Sequence, residues 1–258
     1  MSTVLLEVKD HIAYVTVNRP DVLNVFDYNT LVRLGEIVDE LRTNKDVRVV
    51  IFTGAGEKAF SAGADLKERK TLTEAQVRRN VYKIRTVFNE IANLPQPTIA
   101  AVNGHTFGGG FELMIACDLR VAVKGAKMGL TELKWAIIPG GGGTQRLPRL
   151  IGETKAKELI FTAKVLTAEE WYELGLLNRV VERDELMQEC EKLAGEMMEN
   201  GPIALQQAKF AINNGLNVDL QTGLEIEAKA YEITIPTKDR VEALQAFAEK
   251  RKPVFRGE

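Results

Sequence analysis

The stretch Thr98–Val123, TIAAVNGHTFGGGFELMIACDLRVAV, contains the pattern that decides the fold. Its first part, Thr98–Asn103, is an apolar, partly β-branched run that predicts a buried strand. A glycine loop follows, and then come a short apolar helix at 109–117 and a strand at 118–123. Strands that alternate with helices in this way are typical of α/β proteins.

The segments on both sides extend this pattern. Residues 3–8 and 11–17 alternate between β-branched and polar types, which predicts a hairpin, and Val47–Thr53 predicts a strand buried on both faces. Apolar residues recur at a helical period elsewhere in the chain. The helices predicted from that period are 28–44, 73–93, 152–163, 168–174, 184–199, 202–214, 219–234 and 238–249, with one further strand at 178–181.

The helical patterns suggest how the chain is divided. We predict an α/β core at residues 1–199 that carries the active site, and an all-helical region at 200–258. A helical region of this kind often buries its apolar face against another subunit. We therefore hypothesise that residues 200–258 drive oligomerisation.

Composition excludes several classes of function. The 258 residues carry a net charge of −2, so no excess of positive charge is available for a nucleic acid. Two cysteines and two histidines, without HExxH or CxxC, argue against a metal site and against a disulfide framework. The N-terminus has no signal-peptide pattern, and no apolar run approaches the ~20 residues of a membrane helix. We expect a cytoplasmic protein without a metal or a membrane partner.

Two other motifs are weak. Gly54–Ala59 matches the loose GxGxxA dinucleotide fingerprint, but the residues after it predict loop and helix without a second strand, which favours a plain glycine turn. Ser61 with a histidine base would suggest a hydrolase, yet Ala59–Gly63 lacks the first glycine of a nucleophile elbow.

Four segments carry the chemistry: Phe60–Lys67, Asn103–Leu113, Met128–Lys134 and Ile138–Leu147. The N–H groups that open a helix have no acceptor within it, so Gly109 can offer its N–H to a developing negative oxygen, with Ala64 as a second donor. Taken alone, the glycine run is more typical of a plain tight turn. Glu112 and Glu132 both lie in apolar surroundings, where two carboxyl groups can divide the roles of base and acid. They could also be a helix N-terminal acid and a surface cap.

These segments resemble the crotonase superfamily, and specifically the enoyl-CoA hydratases. The resemblance rests on Asn18-Arg19-Pro20, the AGAD loop at 62–65, both glycine runs, and above all GGG-x-E with a second glutamate 20 residues later. It implies stacked ββα turns followed by a C-terminal helical region that builds trimers or hexamers. Related isomerases often keep one of the two glutamates, whereas this chain has both.

The resemblance also implies roles for single residues. Ala64 and Gly109 correspond to the oxyanion-hole pair that binds the thioester carbonyl. Glu112 and Glu132 correspond to the residues that activate water and protonate the α-carbon, which gives syn addition to a trans-2-enoyl-CoA. The coenzyme A-binding loop would include Ala62, Ala64, Asp65, Leu66 and Lys67, with Gly109 facing it. Coenzyme A is then part of the substrate, and no separate cofactor is expected.

Within the superfamily, the likeness is strongest to the methylglutaconyl-CoA hydratase type that also binds AU-rich RNA. Shared segments include Ala64–Arg69, Ile91–Pro95 and Ala136–Pro148. The RNA role belongs to a lysine-lined early helix, and helix 28–44 here has a mixed, slightly acidic face, so we expect no nucleic-acid partner. An isomerase, or an RNA-binding protein with a secondary hydratase site, remains the alternative.

Overall fold

The computed structural model describes residues 2–258, which form two sheets and eleven helices. The strands are β1 Val4–Lys9, β2 Ile12–Val17, β3 Val49–Gly54, β4 Ala59–Ser61, β5 Thr98–Val102, β6 His105–Phe107, β7 Leu119–Val123, β8 Lys127–Gly129, β9 Leu166–Thr167 and β10 Arg179–Val181. The helices are α1 Tyr28–Thr43, α2 Leu66–Arg69, α3 Glu74–Ala92, α4 Gly109–Ala116, α5 Gly143–Ile151, α6 Glu153–Phe161, α7 Ala168–Glu173, α8 Leu186–Met198, α9 Pro202–Gly215, α10 Leu220–Thr234 and α11 Lys238–Ala248.

The chain repeatedly crosses between the two sheets. The larger sheet has the order β1-β2-β3-β5-β7-β10 and is parallel except for the β1–β2 hairpin. The smaller sheet has the order β4-β6-β8-β9 and is parallel except for β8–β9. Each of β3, β5 and β7 is followed directly by the strand that enters the smaller sheet, and helices separate these pairs. This is the stacked ββα arrangement that the resemblance implies.

Two local predictions need correction. The prediction of loop and helix after Gly54–Ala59 is wrong, because Ala59–Ser61 forms β4. The glycine turn therefore leads into a strand rather than a helix, which leaves no helix N-terminus for a dinucleotide phosphate. Helix α5 at Gly143–Ile151 was not predicted, and the pattern at 152–163 corresponds to α6 alone.

The core lies around the larger sheet. Residues 49–52 of β3 and all of β5 are buried, as continuous apolar strands of a parallel sheet should be. All eight residues of α4 are buried as well, which fits a helix that is apolar on every side. The one charged residue of α4 is Glu112, which is only 3% exposed.

The last three helices, α9–α11, come after the core in the chain and are attached to it through α9. Lys209 joins α9 to it through an ion pair of 2.7 Å with Asp118 and a hydrogen bond to the Gln96 carbonyl, and α10 packs against α9. The division at residues 199/200 remains a prediction. None of the helices within residues 2–258 combines the length and apolar character needed to cross a bilayer.

Candidate active site

The loop after β4 packs against the start of α4. Gly63 has a φ of +91°, and a β-carbon built on it would lie 2.9 Å from the Gly109 nitrogen. Only glycine permits both this backbone conformation and this close approach. The Phe26 N–H donates to the Gly63 carbonyl at 2.7 Å, and the Asp65 N–H donates to the Phe26 carbonyl at 2.9 Å. These bonds fix the loop on both sides of Ala64.

Two backbone donors remain available where loop and helix meet. The hydrogen bonds found among residues 2–258 leave the N–H groups of Ala64 and Gly109 without an acceptor. A β-carbon built on Gly109 would lie 3.8 Å from the Ala64 nitrogen, so the two groups are close neighbours. Gly109 also begins α4, where the helix dipole favours negative charge. The arrangement suits an oxygen atom that gains negative charge.

The residues expected to bind coenzyme A lie along this loop with different accessibility. Leu66 and Lys67 are exposed, and Ala62 and Asp65 are half-buried. The Asp65 carboxylate is already occupied: it caps α2 by accepting the N–H groups of Lys67 and Glu68, and it pairs with Arg19 at 3.1 Å. Its contacts hold the loop in place. The binding role of the loop stays a prediction.

Glu112 is held by a second glycine run. Its Oε1 accepts the Gly141 N–H at 2.7 Å and the Gly143 N–H at 2.8 Å. Burial raises the pKa of Glu112 above its usual range, whereas the amides of this loop and the charge of Arg146 act to lower it. The carboxyl group is therefore buried but held by donors that stabilise its ionised form.

Glu132 lies at the start of a 3-10 turn that spans Glu132–Trp135, close enough to Glu112 for the two charges to interact. A β-carbon built on Gly108 would lie 3.5 Å from Glu132 Oε1, which places the carboxyl group against the glycine run before α4. Its Oε2 is buried and has no hydrogen-bond partner among the residues described. Burial, and then the charge of Glu112, raise the pKa of Glu132 to about 7.

The two carboxyl groups have different environments, and this separates their roles. Each pKa is raised, so the pair tends to keep one proton near neutral pH. Because the backbone amides of Gly141 and Gly143 donate to Glu112, we assign the negative charge to Glu112 and the proton to Glu132. One carboxylate and one carboxylic acid then lie beside two free backbone donors.

The glycines that hold Glu112 were not identified from the sequence. The segment Ile138–Leu147 stands out for its glycines, but nothing in its spacing shows that Gly141 and Gly143 reach a side chain about 30 residues earlier. Arg69 was also missed. It is half-buried on α2 and close enough to Glu132 for its charge to lower that pKa.

The weaker alternatives are not supported by their surroundings. Ser61 is fully buried, and its hydroxyl accepts the Gly63 N–H at 3.2 Å. His105 Nδ1 accepts the Lys127 N–H at 3.1 Å at the surface. A buried, occupied serine cannot meet a substrate as a nucleophile. Across residues 2–258, no three His, Cys, Asp or Glu side chains are grouped so that they could hold a metal ion.

Comparison with known proteins matches this sequence to one family. The model of the family described as "Enoyl-CoA hydratase/isomerase" matches residues 7–258. The chain belongs to the enoyl-CoA hydratase/isomerase family. The resemblance stated from the sequence is thereby confirmed.

Relatives with high identity cover most of the chain. YngF of Bacillus subtilis, whose name places it among the enoyl-CoA hydratases/isomerases, is 54% identical over 99% of this chain and 98% of its own length. Human mitochondrial methylglutaconyl-CoA hydratase is 51% identical over 94% of this chain and 73% of its own length. The likeness to the methylglutaconyl-CoA hydratase type is therefore borne out.

Solved structures confirm the predicted fold. The crystal structure of an enoyl-CoA hydratase from Bacillus anthracis superposes with a TM-score of 0.97 at 49% identity, covering 99% of this chain and 100% of that one. The predicted α/β class with stacked ββα turns and C-terminal helices is correct.

Proposed function

We propose that this protein is an enoyl-CoA hydratase that adds water reversibly across a trans-2-enoyl-CoA. The observation that carries the proposal is a pair of carboxyl groups in unlike environments, with Glu112 buried and Glu132 half-buried, beside two unpaired backbone amides. Hydration of a conjugated thioester needs a base for water, an acid for the α-carbon and donors for the enolate oxygen. The site offers each of these.

In the proposed mechanism, Glu112 takes a proton from water while the hydroxyl oxygen forms its bond to the β-carbon. The electrons move onto the thioester oxygen, where the N–H groups of Ala64 and Gly109 stabilise the charge. Removing one such donor typically costs about 3–4 kcal/mol of transition-state stabilisation. Glu132 then gives its proton to the α-carbon on the same face. We propose that no separate cofactor takes part, because the thioester itself accepts the charge.

The test is hydration of crotonyl-CoA, followed as loss of the ultraviolet absorbance of the conjugated thioester. We expect rapid hydration to 3-hydroxybutyryl-CoA. An isomerase needs one acid–base group, so the two glutamates favour a hydratase. A 3-enoyl-CoA that is converted to the conjugated isomer, while crotonyl-CoA remains unchanged, would contradict the proposal and support the isomerase alternative.

The structure favours a substrate with a second carboxylate. Arg69 is half-buried near Glu132, and it takes part in none of the ion pairs found within residues 2–258. An unpaired guanidinium at this depth suits a planar carboxylate of the acyl chain. We propose a branched dicarboxylic substrate of the methylglutaconyl-CoA kind, in agreement with the name of the human relative.

We also propose that the protein is a trimer or a hexamer. The region from α9 to α11 exposes large apolar side chains, among them Leu216 and Leu220 at 79% and Phe247 at 86%. Such a surface is typical of a protein–protein contact. Helix α9 and its C-cap residue Leu216 also border an open cavity of about 1000 Å³, with Leu205 and Ile212 on the same wall. Further copies of this chain would cover these surfaces.

We propose a cytoplasmic location, which is supported by two unpaired, buried cysteines, Cys117 and Cys190, and by the bacterial relative, although the human relative is named as mitochondrial. We propose no RNA partner. On helix α1, Arg33 is paired with Glu36 at 3.0 Å, which reduces the positive charge available to a phosphate backbone.

A further inference from the structure

Arg146 lies behind the turn that holds Glu112. It is half-buried on α5, and its Nη1 donates to the Gly141 carbonyl at 3.0 Å. Its Nη2 donates to Asn89 Oδ1 of α3 at 3.4 Å, and its backbone N–H donates to the Gly142 carbonyl at 2.8 Å. Arg146 forms no ion pair with a carboxylate of residues 2–258. Its guanidinium therefore donates hydrogen bonds to the turn and to α3.

The guanidinium of Arg146 lies directly over Gly142 of this turn. Gly142 has a φ of +115°, and a β-carbon there would collide with Arg146 Nη1. Gly142 lies between the two residues whose N–H groups donate to Glu112 Oε1. The side chain of Arg146 thus holds the turn through its Gly141 carbonyl, while the Glu112 carboxylate accepts hydrogen bonds from the amides of the same turn.

We propose that Arg146 is a positioning residue for the hydration reaction: it keeps the Gly141–Gly143 turn closed on Glu112, and its charge favours the carboxylate that accepts the proton of water. The inference rests on the proposed function, since it assigns Glu112 the role of base. Arg146 itself touches no reacting atom.

The charges around Glu112 are few. Glu132 faces it from the 3-10 turn, and Arg146 faces it from α5, while α3 presents the apolar Ile84 and Phe88 beside Gly141. Arg69 of α2 acts on Glu132. Because Arg146 is the side-chain cation that opposes the effect of burial, its loss should raise the pKa of Glu112 further.

The test compares Arg146→Gln with Arg149→Gln, a matched control on the same helix. Arg149 is exposed, and its Nη1 donates to the Gln145 carbonyl at 2.8 Å. The measurement is the pH profile of kcat/KM for crotonyl-CoA. With Arg146→Gln we expect the acidic limb to move up by about one pH unit. We also expect kcat to fall by roughly 10- to 100-fold, with little change in KM. Arg149→Gln should match the wild type in both.

A third variant separates charge from geometry. Arg146→Lys keeps the charge but lacks the planar fork, so it should restore the acidic limb while kcat stays reduced. An acidic limb that does not move in Arg146→Gln would overturn the proposal, as would a loss of kcat that follows the loss of thermal stability alone.

A second readout does not depend on activity. With ¹³C-labelled glutamate, the Glu112 carboxyl resonance is assigned from its disappearance in Glu112→Gln and titrated in the wild type and in Arg146→Gln. We expect the higher pKa in Arg146→Gln, and equal values would overturn the proposal. If the wild type hydrates no enoyl-CoA, the proposed function fails, while this titration still decides what Arg146 does to Glu112.

Discussion

Glu132 has a carboxylate oxygen that is buried without a partner, and this has a cost for the folded state. Its pKa rises from the ordinary 4.5 to about 7, chiefly through burial. A carboxyl group with a raised pKa stabilises the fold at low pH, where it is neutral in both states. That contribution is fully present below about pH 4.5 and is lost as the pH rises from there to about 7, because the unfolded chain gains by ionising while the buried group still holds its proton.

Glu132→Gln removes this dependence on pH. The free energy of unfolding of the wild type should fall relative to that of Glu132→Gln as the pH rises from about 4.5 to about 8. We expect the difference between the two proteins to change by up to about 3 kcal/mol over this range. Urea unfolding at a series of pH values measures the difference. A stability difference that stays constant over this range would show that Glu132 titrates normally in the folded protein.

Arg69 determines which acyl chain is preferred if it binds the second carboxylate of the substrate, as proposed. With Arg69→Gln, we expect kcat/KM for methylglutaconyl-CoA to fall by about 10- to 100-fold, because a charge-assisted hydrogen bond is lost. We expect kcat/KM for crotonyl-CoA, which has no second carboxylate, to change much less. The exposed neighbour Lys70→Gln is the control. An equal loss with both substrates would mean that Arg69 acts on the site as a whole.

The turn between the 3-10 segment and α5 is the element on which Glu112 depends. A β-carbon at Gly141 would lie 2.8 Å from Glu112 Oε2, and equally close to Ile84. Gly141→Ala should therefore displace the carboxyl group and lower both kcat and stability, the latter by about 1–3 kcal/mol, as overpacking does.

Gly195→Ala is the matched control for this variant. Gly195 lies inside α8, and nothing is found within 4 Å of a β-carbon built on it. In a helix interior we expect alanine to stabilise the protein by about 0.5–1 kcal/mol, with activity unchanged. Thermal unfolding and crotonyl-CoA kinetics measure both variants. A Gly141→Ala enzyme with normal kcat would contradict the role assigned to this turn.

The elements show what periodicity can predict. Helices such as α1 and α3 and strands such as β3 and β5 are long enough for an apolar repeat, and their predicted bounds agree with the structure to within a few residues. Strands β4, β6 and β8 have three residues each, too few to display a repeat. The sheet they form is stabilised by pairing between distant segments, which no local pattern encodes.

The candidate site, like the fold, could be predicted in part from the sequence. Glu112, Glu132, Ala64 and Gly109 are identified through a family resemblance, and the structure brings all four together. The residues that hold Glu112 in place were missed, because Gly141 and Gly143 reach it through folding of the whole chain. Helix α5 is amphipathic, but it has only nine residues, begins directly after the glycine run and contains Pro148, so it was not predicted as a helix.

At the scale of the molecule, the exposed apolar side chains of α9–α11 predict assembly. Light scattering after size exclusion should give three or six times the 28.7 kDa of one chain. Phe247→Glu, which places a charge on the most exposed of these aromatic side chains, should reduce that mass. Phe161→Glu on α6, which is also exposed, is the control. A monomeric wild type would contradict the proposed assembly.

The central claim is that two glutamates with different roles hydrate an enoyl-CoA. The most direct measurement is the hydration rate of crotonyl-CoA and of methylglutaconyl-CoA by the wild type, Glu112→Gln and Glu132→Gln side by side. We expect turnover with the wild type, and a fall in kcat of roughly 10²- to 10⁴-fold in each variant, with substrate binding retained. Near-normal turnover in either variant would remove that residue from the mechanism, and a wild type inactive on both substrates would contradict the claim as a whole.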